Sequence, residues 1–275
     1  MVRKSRVKRR WAQGKPVLAT VAHFTDPQSA ELIGLMGIDC LWIDLEHQPI
    51  GMSRLENMVR AARAHDMDVM ARPAKGEFTR MARLLEAGAS IVMYPRCESV
   101  EEAQQIVRHA KFPPLGERGF YSASPDNPYC LTPMDEYLHE ANAETLLLAQ
   151  IESPNAVKLA RRIAEVEGID MLFFGPGDFS IAAGVAGQFD GAVVRRAKAD
   201  TAAAAKAAGK RFGTLVTSFD QAREALEFGA MLLTYGGDLH FVCDALTRIR
   251  EQFGALGIPF GEIAHGRGRA VGPVV

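Results

Sequence analysis

Short, almost continuously apolar runs recur along this chain, and longer stretches with helical spacing separate them. The runs fall at 17–22, 38–43, 68–72, 90–95, 145–152, 169–174, 211–216 and 230–235. The punctuation between them repeats as well. Thr25-Asp26-Pro27 is a helix-start signal, followed by an apolar face of Ala30, Leu32, Ile33, Leu35 and Met36 that Gly37 ends. Ser53 to Glu56, Ser99 to Glu102 and Ser218 to Gln221 read as capping boxes, and Ser153-Pro154 opens another helix. Glycines 88, 168, 209 and 229 each precede a run. Apolar runs without alternation suit parallel strands covered on both faces. Eight of them, nearly all separated by helices in 275 residues, predict a single-domain (β/α)8 barrel, a fold that typically needs about 250 residues. A doubly wound open sheet has the same grammar, but no GxGxxG follows the first run.

Two segments depart from this rhythm. The stretch 112–129 is rich in proline and glycine and holds Glu117-Arg118-Gly119-Phe120-Tyr121. It reads as a long loop after the fourth strand, at the catalytic end of the barrel, where it would contact the distal half of a substrate. Residues 261–275 alternate glycine, arginine and proline and read as a flexible tail. The expected division is therefore a barrel domain over 1–260, with a basic N-terminal helix, and a tail over 261–275.

Composition narrows the partners. With 32 basic and 33 acidic residues the net charge is −1, which gives no reason to expect nucleic acid or an anionic membrane. The basic opening, Arg3 to Arg10, reads as a solvated helix face. No long apolar run follows it, so neither an ordinary signal peptide nor a membrane span is expected. Four scattered cysteines without a CxxC pair predict reduced thiols and a cytoplasmic protein.

The candidate chemistry sits where the runs stop. The second ends in Asp44-Leu45-Glu46-His47, the third in Arg72-Pro73, the fifth in Gln150-Ile151-Glu152, and the sixth runs into Gly175-Pro176-Gly177-Asp178. In a barrel these converge, because the C-terminal strand ends share one mouth. Glu152 and Asp178 suit a hard divalent cation that keeps waters and takes further ligands from substrate. The alternative for Glu152 is support of the next helix N-terminus, and for Asp178 capping. Glu46 reads as hydrogen-bonding support for the site more than as a ligand. Arg72 is a planar fork for an anionic substrate, or else the partner of Asp44 or Glu86 in a structural ion pair. Backbone N–H groups at Gly175-Pro176-Gly177 could approach an anion closely, and Gly236-Gly237 offers a weaker second nest. His47, beside acids at the mouth, is the candidate acid or base.

With those residues in place the chain resembles the HpcH/HpaI family of metal-dependent, class II pyruvate aldolases. The carriers are Trp42-Ile43-Asp44-Leu45-Glu46-His47, Arg72-Pro73, Pro114 to Gly119, Gln150-Ile151-Glu152 and Gly175-Pro176-Gly177-Asp178. The resemblance implies retro-aldol cleavage of a 4-hydroxy-2-oxo acid to pyruvate and an aldehyde. It implies a divalent metal on Glu152 and Asp178: Mg²⁺ or Mn²⁺, with Co²⁺ as a further candidate. Arg72 and the backbone at Gly177 and Asp178 would hold the pyruvyl carboxylate and enolate, with Gln150 near the substrate and Asp44 in the catalytic cluster. His47 would be the acid/base, paired across the pocket with Glu86, which stands where the family has an aspartate. It further implies a homo-oligomer, trimer or hexamer, built through swapped C-terminal helices. Two other readings are an acyl-CoA carbon–carbon lyase of the citrate-lyase type and a barrel that binds 2-oxo acids without turning them over.

Overall fold

The structure is a computed structural model described over residues 2–262. Its centre is a closed parallel barrel of strands β1 (Val17–Ala22), β2 (Cys40–Asp44), β3 (Asp68–Arg72), β4 (Ile91–Tyr94), β5 (Leu146–Ile151), β6 (Met171–Phe174), β7 (Arg211–Val216) and β8 (Ala230–Gly237), each paired with its neighbours in sequence and β8 with β1. The strands are buried almost throughout, which is why their sequences are runs and not alternations. The helices between them are α2 (Pro27–Leu35), α3 (Met52–Ala64), α4 (Arg80–Glu86), α5 (Val100–Ala110), α6 (Met134–Glu144), α7 (Pro154–Ala164), α8 (Pro176–Ala182), α9 (Ala192–Ala207) and α10 (Phe219–Glu227); α1 (Arg6–Ala12) precedes the barrel and α11 (Asp238–Gly254) follows it.

The caps show which signals were specific. Asp26, Ser99, Ser153 and Ser218 each accept a backbone N–H at the start of their helices. Ser53 does not cap: α3 starts one residue earlier, after Gly51, with no side-chain cap. The α2 face differs too. Ala30 and Gly34 are its buried residues, whereas Leu32, Leu35 and Met36 are exposed. Small residues let α2 lie close to α3, where a Cβ on Gly34 would come 2.9 Å from the Cβ of His65. Ile33 packs against the core, while Leu32, Leu35 and Met36 are turned away from it.

The base of the barrel is closed by α1. Val7 and Trp11 pack with Val17, Cys40, Ile91, Leu146, Met171 and Leu232, and the Trp11 indole donates to the Met231 carbonyl at 2.7 Å. The basic opening is not a free solvated face. Arg6 pairs with Asp39 at 2.7 Å, Lys4 with Glu140 at 3.1 Å, and Arg3 and Arg9 with Asp66 and Asp68 or Asp66 alone. Asp68 is fully buried and also accepts from the Ser5 hydroxyl at 2.6 Å and the Val7 N–H at 2.9 Å.

The long loop corrects the expectation placed on it. Helix α5 intervenes between β4 and this segment and carries the chain back, so the loop leaves from the strand-start face, opposite the mouth. There Lys111 donates to the Thr145 carbonyl just before β5 at 2.5 Å, and Arg63, in the last turn of α3, reaches the Pro125 carbonyl at 3.1 Å. Within one chain it therefore does not line the barrel's own mouth. Apart from its first two residues, the tail expected over 261–275 lies outside the described residues. Among the described residues no helix is long and apolar enough to cross a membrane.

Candidate active site

Three strand ends converge on one buried polar chain. Asp44, the last residue of β2, is level with Arg72, the last of β3. Its carboxylate accepts from Arg72 Nε at 3.0 Å and from Nη2 at 2.8 Å, a two-toothed grip on a fully buried guanidinium. Arg72 Nη1 donates to Gln150 Oε1 at 3.3 Å, and Gln150 Nε2 donates to Glu152 Oε1 at 2.8 Å. The Asp44 pair was one of the alternatives for Arg72; Glu86 is not its partner. Burial works against the Arg72 charge, but the Asp44 hydrogen bonds and the charges of Asp44, Glu152 and Glu46 outweigh it and raise the pKa above the usual arginine value. The guanidinium also lies 4.8 Å from the centre of the Trp42 ring, which forms the floor beneath it.

Glu152 is the least comfortable carboxyl in this set. Burial pushes it up to about 8, helped by the charges of Asp178 and Glu46; Arg72 and the Arg96 backbone N–H pull the other way without overcoming it. Its place depends on Gly175: a Cβ there would lie 2.3 Å from Glu152 Oε1. Asp178 stands exposed in the first turn of α8. Gly177 precedes it in the same turn, half-buried.

Arg96 is a site residue that the strand-end reading missed. It follows Tyr94-Pro95 at the end of β4 with φ of 44°, a strained value for a residue with a side chain. That turn aims its N–H at Glu152 Oε2, 2.9 Å away, and its guanidinium at Glu46 Oε1, 2.5 Å away. Glu46 also lies 3.4 Å from Arg72 Nε, so it is held between two arginines. The signal was an arginine directly after a strand-ending proline, the mirror of Arg72-Pro73.

The two remaining candidates lie apart. The His47 imidazole is 55% exposed and its nearest charged neighbour is Glu46 at 3.9 Å. Glu86 ends α4, on the way back to the start of β4 and so toward the opposite end of the barrel. Burial pushes its pKa up, opposed by Arg118 and Arg83. It lines a groove of about 290 Å³ with Glu56, Arg83, Tyr121, Pro125 and Tyr129. Among the described residues no hydrogen bond or ion pair joins Glu86 to His47 in one chain.

The donor set fits a divalent cation. One buried carboxylate whose charge is unfavourable without a counter-ion, and one exposed carboxylate close enough to be felt by it, are what a small hard ion takes alongside waters and substrate oxygens. No larger cluster is available: among the described residues no group of three or more His, Cys, Asp or Glu could hold a metal.

A closed parallel barrel with acids, an arginine fork and a glutamine at its strand ends is the frame of a small-molecule enzyme. The profile of the HpcH/HpaI aldolase/citrate lyase family matches residues 22–245, and the chain belongs to that family of carbon–carbon lyases. It is 31% identical over 242 residues to a hydroxypyruvate/pyruvate aldolase from Delftia acidovorans, covering 85% of this chain and 86% of that one. It is 30% identical to a 4-hydroxy-2-oxo-heptane-1,7-dioate aldolase from Shigella sonnei, covering 88% and 92%. A crystal structure of an HpcH/HpaI aldolase from Desulfitobacterium hafniense superposes with a TM-score of 0.83 at 28% identity, covering 92% of this chain and 97% of that one.

Proposed function

We propose that this chain is an aldolase that cleaves a 4-hydroxy-2-oxo acid to pyruvate and an aldehyde, and runs the addition in reverse. The observation that carries the reading is the buried chain Asp44–Arg72–Gln150–Glu152, ending on a carboxyl held up to about 8. Such a group is costly in a resting fold and useful only where a cation or a charged ligand completes it.

Glu152 and Asp178 would hold the divalent cation, Mg²⁺ or Mn²⁺ in the first instance; when bound it supplies Lewis acidity at the 2-oxo group. Arg72 binds the pyruvyl end. Asp44 and Gln150 take three of its five N–H groups, which leaves one on each terminal nitrogen for a carboxylate or enolate oxygen. The backbone N–H groups of Gly177 and Asp178, in the first turn of α8, would hold the same end. His47 takes the proton from the 4-hydroxyl, directly or through one water. The C3–C4 electron pair then moves into the enolate, the aldehyde leaves, and a proton at C3 completes pyruvate. Arg72 stabilises the charge that develops on the enolate oxygen. The test is pyruvate release from a 4-hydroxy-2-oxo acid, abolished by EDTA and restored by Mg²⁺ or Mn²⁺. Turnover that survives complete metal removal would refute the reading.

The working form in this reading is a homo-oligomer. Helix α11 exposes Leu239, Phe241, Val242, Leu246, Ile249 and Phe253, and neighbouring α2 exposes Leu32, Leu35 and Met36. Apolar surface of that extent on adjacent helices is what a second copy covers. No hydrogen bond or ion pair joins His47 to Glu86 within the described residues of one chain, so a dyad between them would take Glu86 from another subunit. Sedimentation of the purified protein tests this; a monomer at micromolar concentration would oppose it.

A further inference from the structure

A second imidazole stands at the mouth, and it is held more firmly than His47. Strand β1 ends at Ala22, paired with Ile43, so His23 comes level with Asp44 on the next strand. Val21 belongs to the barrel interior and Ala22 to the outer layer, so alternation turns His23 inward again. On its other side the ring lies over Gly237 at the end of β8, where a Cβ would come 2.6 Å from both Cε1 and Nδ1.

Asp238, the first residue of α11, fixes the backbone that carries this ring. Its buried carboxylate accepts from the His23 N–H at 2.8 Å, the Phe24 N–H at 3.1 Å, the Ser29 hydroxyl at 2.9 Å and the Leu239 N–H at 2.8 Å. Burial pushes the Asp238 carboxyl up, but the bonds from His23, Ser29 and Leu239 prevail and hold it below the usual range. His23 Nδ1 is buried, 3.5 Å from Asp238 Oδ1, with no hydrogen-bond partner among the described residues. In the neutral imidazole the carboxylate beside Nδ1 favours the proton there, and that tautomer presents Nε2 as an acceptor. The side chain is 21% exposed, and with Nδ1 buried that exposure falls on the Nε2 side. The His240 ring packs behind it at 5.4 Å, with Asp244 beyond as the other charged neighbour.

The order of strands says what this imidazole can meet. The pyruvyl end is bound on the β3, β5 and β6 side of the mouth, through Arg72, Gln150, Glu152 and Asp178. His23 and Asp238 lie across the ring, on β1 and after β8, where the other half of a cleaved substrate must extend. An acceptor nitrogen on a ring backed by the Asp238 carboxylate suits a hydroxyl and disfavours a second carboxylate. We propose that His23, oriented by Asp238, reads the aldehyde half of the substrate through a hydrogen bond from a hydroxyl to Nε2, so that the protein selects hydroxyaldehydes over alkyl aldehydes and over semialdehydes ending in a carboxylate. This rests on the aldolase reading above.

The experiment is aldol addition of pyruvate to glycolaldehyde, propanal and succinic semialdehyde, with Mn²⁺ present, by wild type, His23→Phe and His23→Gln. Wild type prefers glycolaldehyde in kcat/KM. The glycolaldehyde-to-propanal ratio falls about tenfold in His23→Phe, the worth of one good hydrogen bond. His23→Gln, which offers an amide oxygen near the Nε2 position, keeps most of it. Because the ratio is taken within one preparation, a loss of folded protein does not imitate the result. An unchanged ratio in His23→Phe, an equal fall for all three aldehydes, or a wild type that prefers propanal or the semialdehyde overturns the proposal. A wild type that adds pyruvate to no aldehyde overturns the aldolase reading instead.

Discussion

Glu152 Oε1 sits where Gly175 has no side chain: the two residues, on adjoining strand ends, compete for one volume, with only 2.3 Å between that oxygen and a Cβ built on the glycine. The carboxylate can turn inward toward Gln150 because the sequence leaves that space empty. Gly175→Ala should therefore displace the Glu152 carboxylate without disturbing the barrel's packing elsewhere. Mn²⁺ affinity, followed by calorimetric titration, should fall about 10- to 100-fold, in line with shifts of groups that orient metal ligands. Unchanged affinity would mean that Glu152 is not a ligand.

The raised pKa of Glu152 has a signed consequence for metal-free protein. Its carboxyl titrates near 4.5 when unfolded and at about 8 when folded. Below the lower value both states are protonated and folding incurs no penalty; between the two the unfolded state ionises while the folded state resists, so stability is lost as pH rises through about 8. Glu152→Gln removes that penalty. In EDTA it should melt higher than wild type at pH 8.5, by an amount on the order of 1–3 kcal/mol, and match it at pH 4.5. Added Mn²⁺ should stabilise wild type and reverse the order at high pH.

Arg72→Lys keeps the charge and loses the fork. A lysine cannot grip Asp44 with two parallel bonds and still address Gln150 and a ligand. Retro-aldol kcat/KM should fall by roughly 100-fold or more, with kcat affected as well as KM because the enolate charge loses its partner. Asp44, buried and half-paired, should also cost a few kcal/mol of stability. A change in KM alone would limit Arg72 to ground-state binding.

At the other end of the molecule, Asp68→Ala should act on stability and leave chemistry alone. It removes the acceptor shared by Arg3, Ser5 and Val7 from a fully buried position. A loss of about 3–5 kcal/mol is expected, measured by urea unfolding, with Mn²⁺ affinity unchanged. A lowered affinity would show that the base and the mouth are coupled.

The elements were legible because each β/α unit announces itself twice, by an apolar run and by a cap or glycine. Strands 17–22, 68–72 and 211–216 match the expected bounds. The residues that meet in the polar chain, Asp44, Arg72, Gln150 and Glu152, were legible for the same reason: strand ends in a barrel are neighbours however far apart in sequence. What could not be read depended on direction and small volumes. Loop 112–129 comes after the fourth strand in sequence, but α5 turns the chain back before the loop begins. Ser53 had capping chemistry but stood one position inside its helix. Leu32, Leu35 and Met36 have helical spacing, but spacing alone does not say whether the apolar stripe faces the chain's own core or leaves it. Asp26, three residues after His23, caps α2, and the acid beside the His23 ring, Asp238, arrives from 215 residues away.

The indole of Trp11 is tied to a carbonyl on the last strand, across 220 residues. The stopper of the ring thus makes its indole bond only when the final stave is in place. With only one other tryptophan in the chain, its fluorescence in a Trp42→Phe background would time the moment at which the circle shuts.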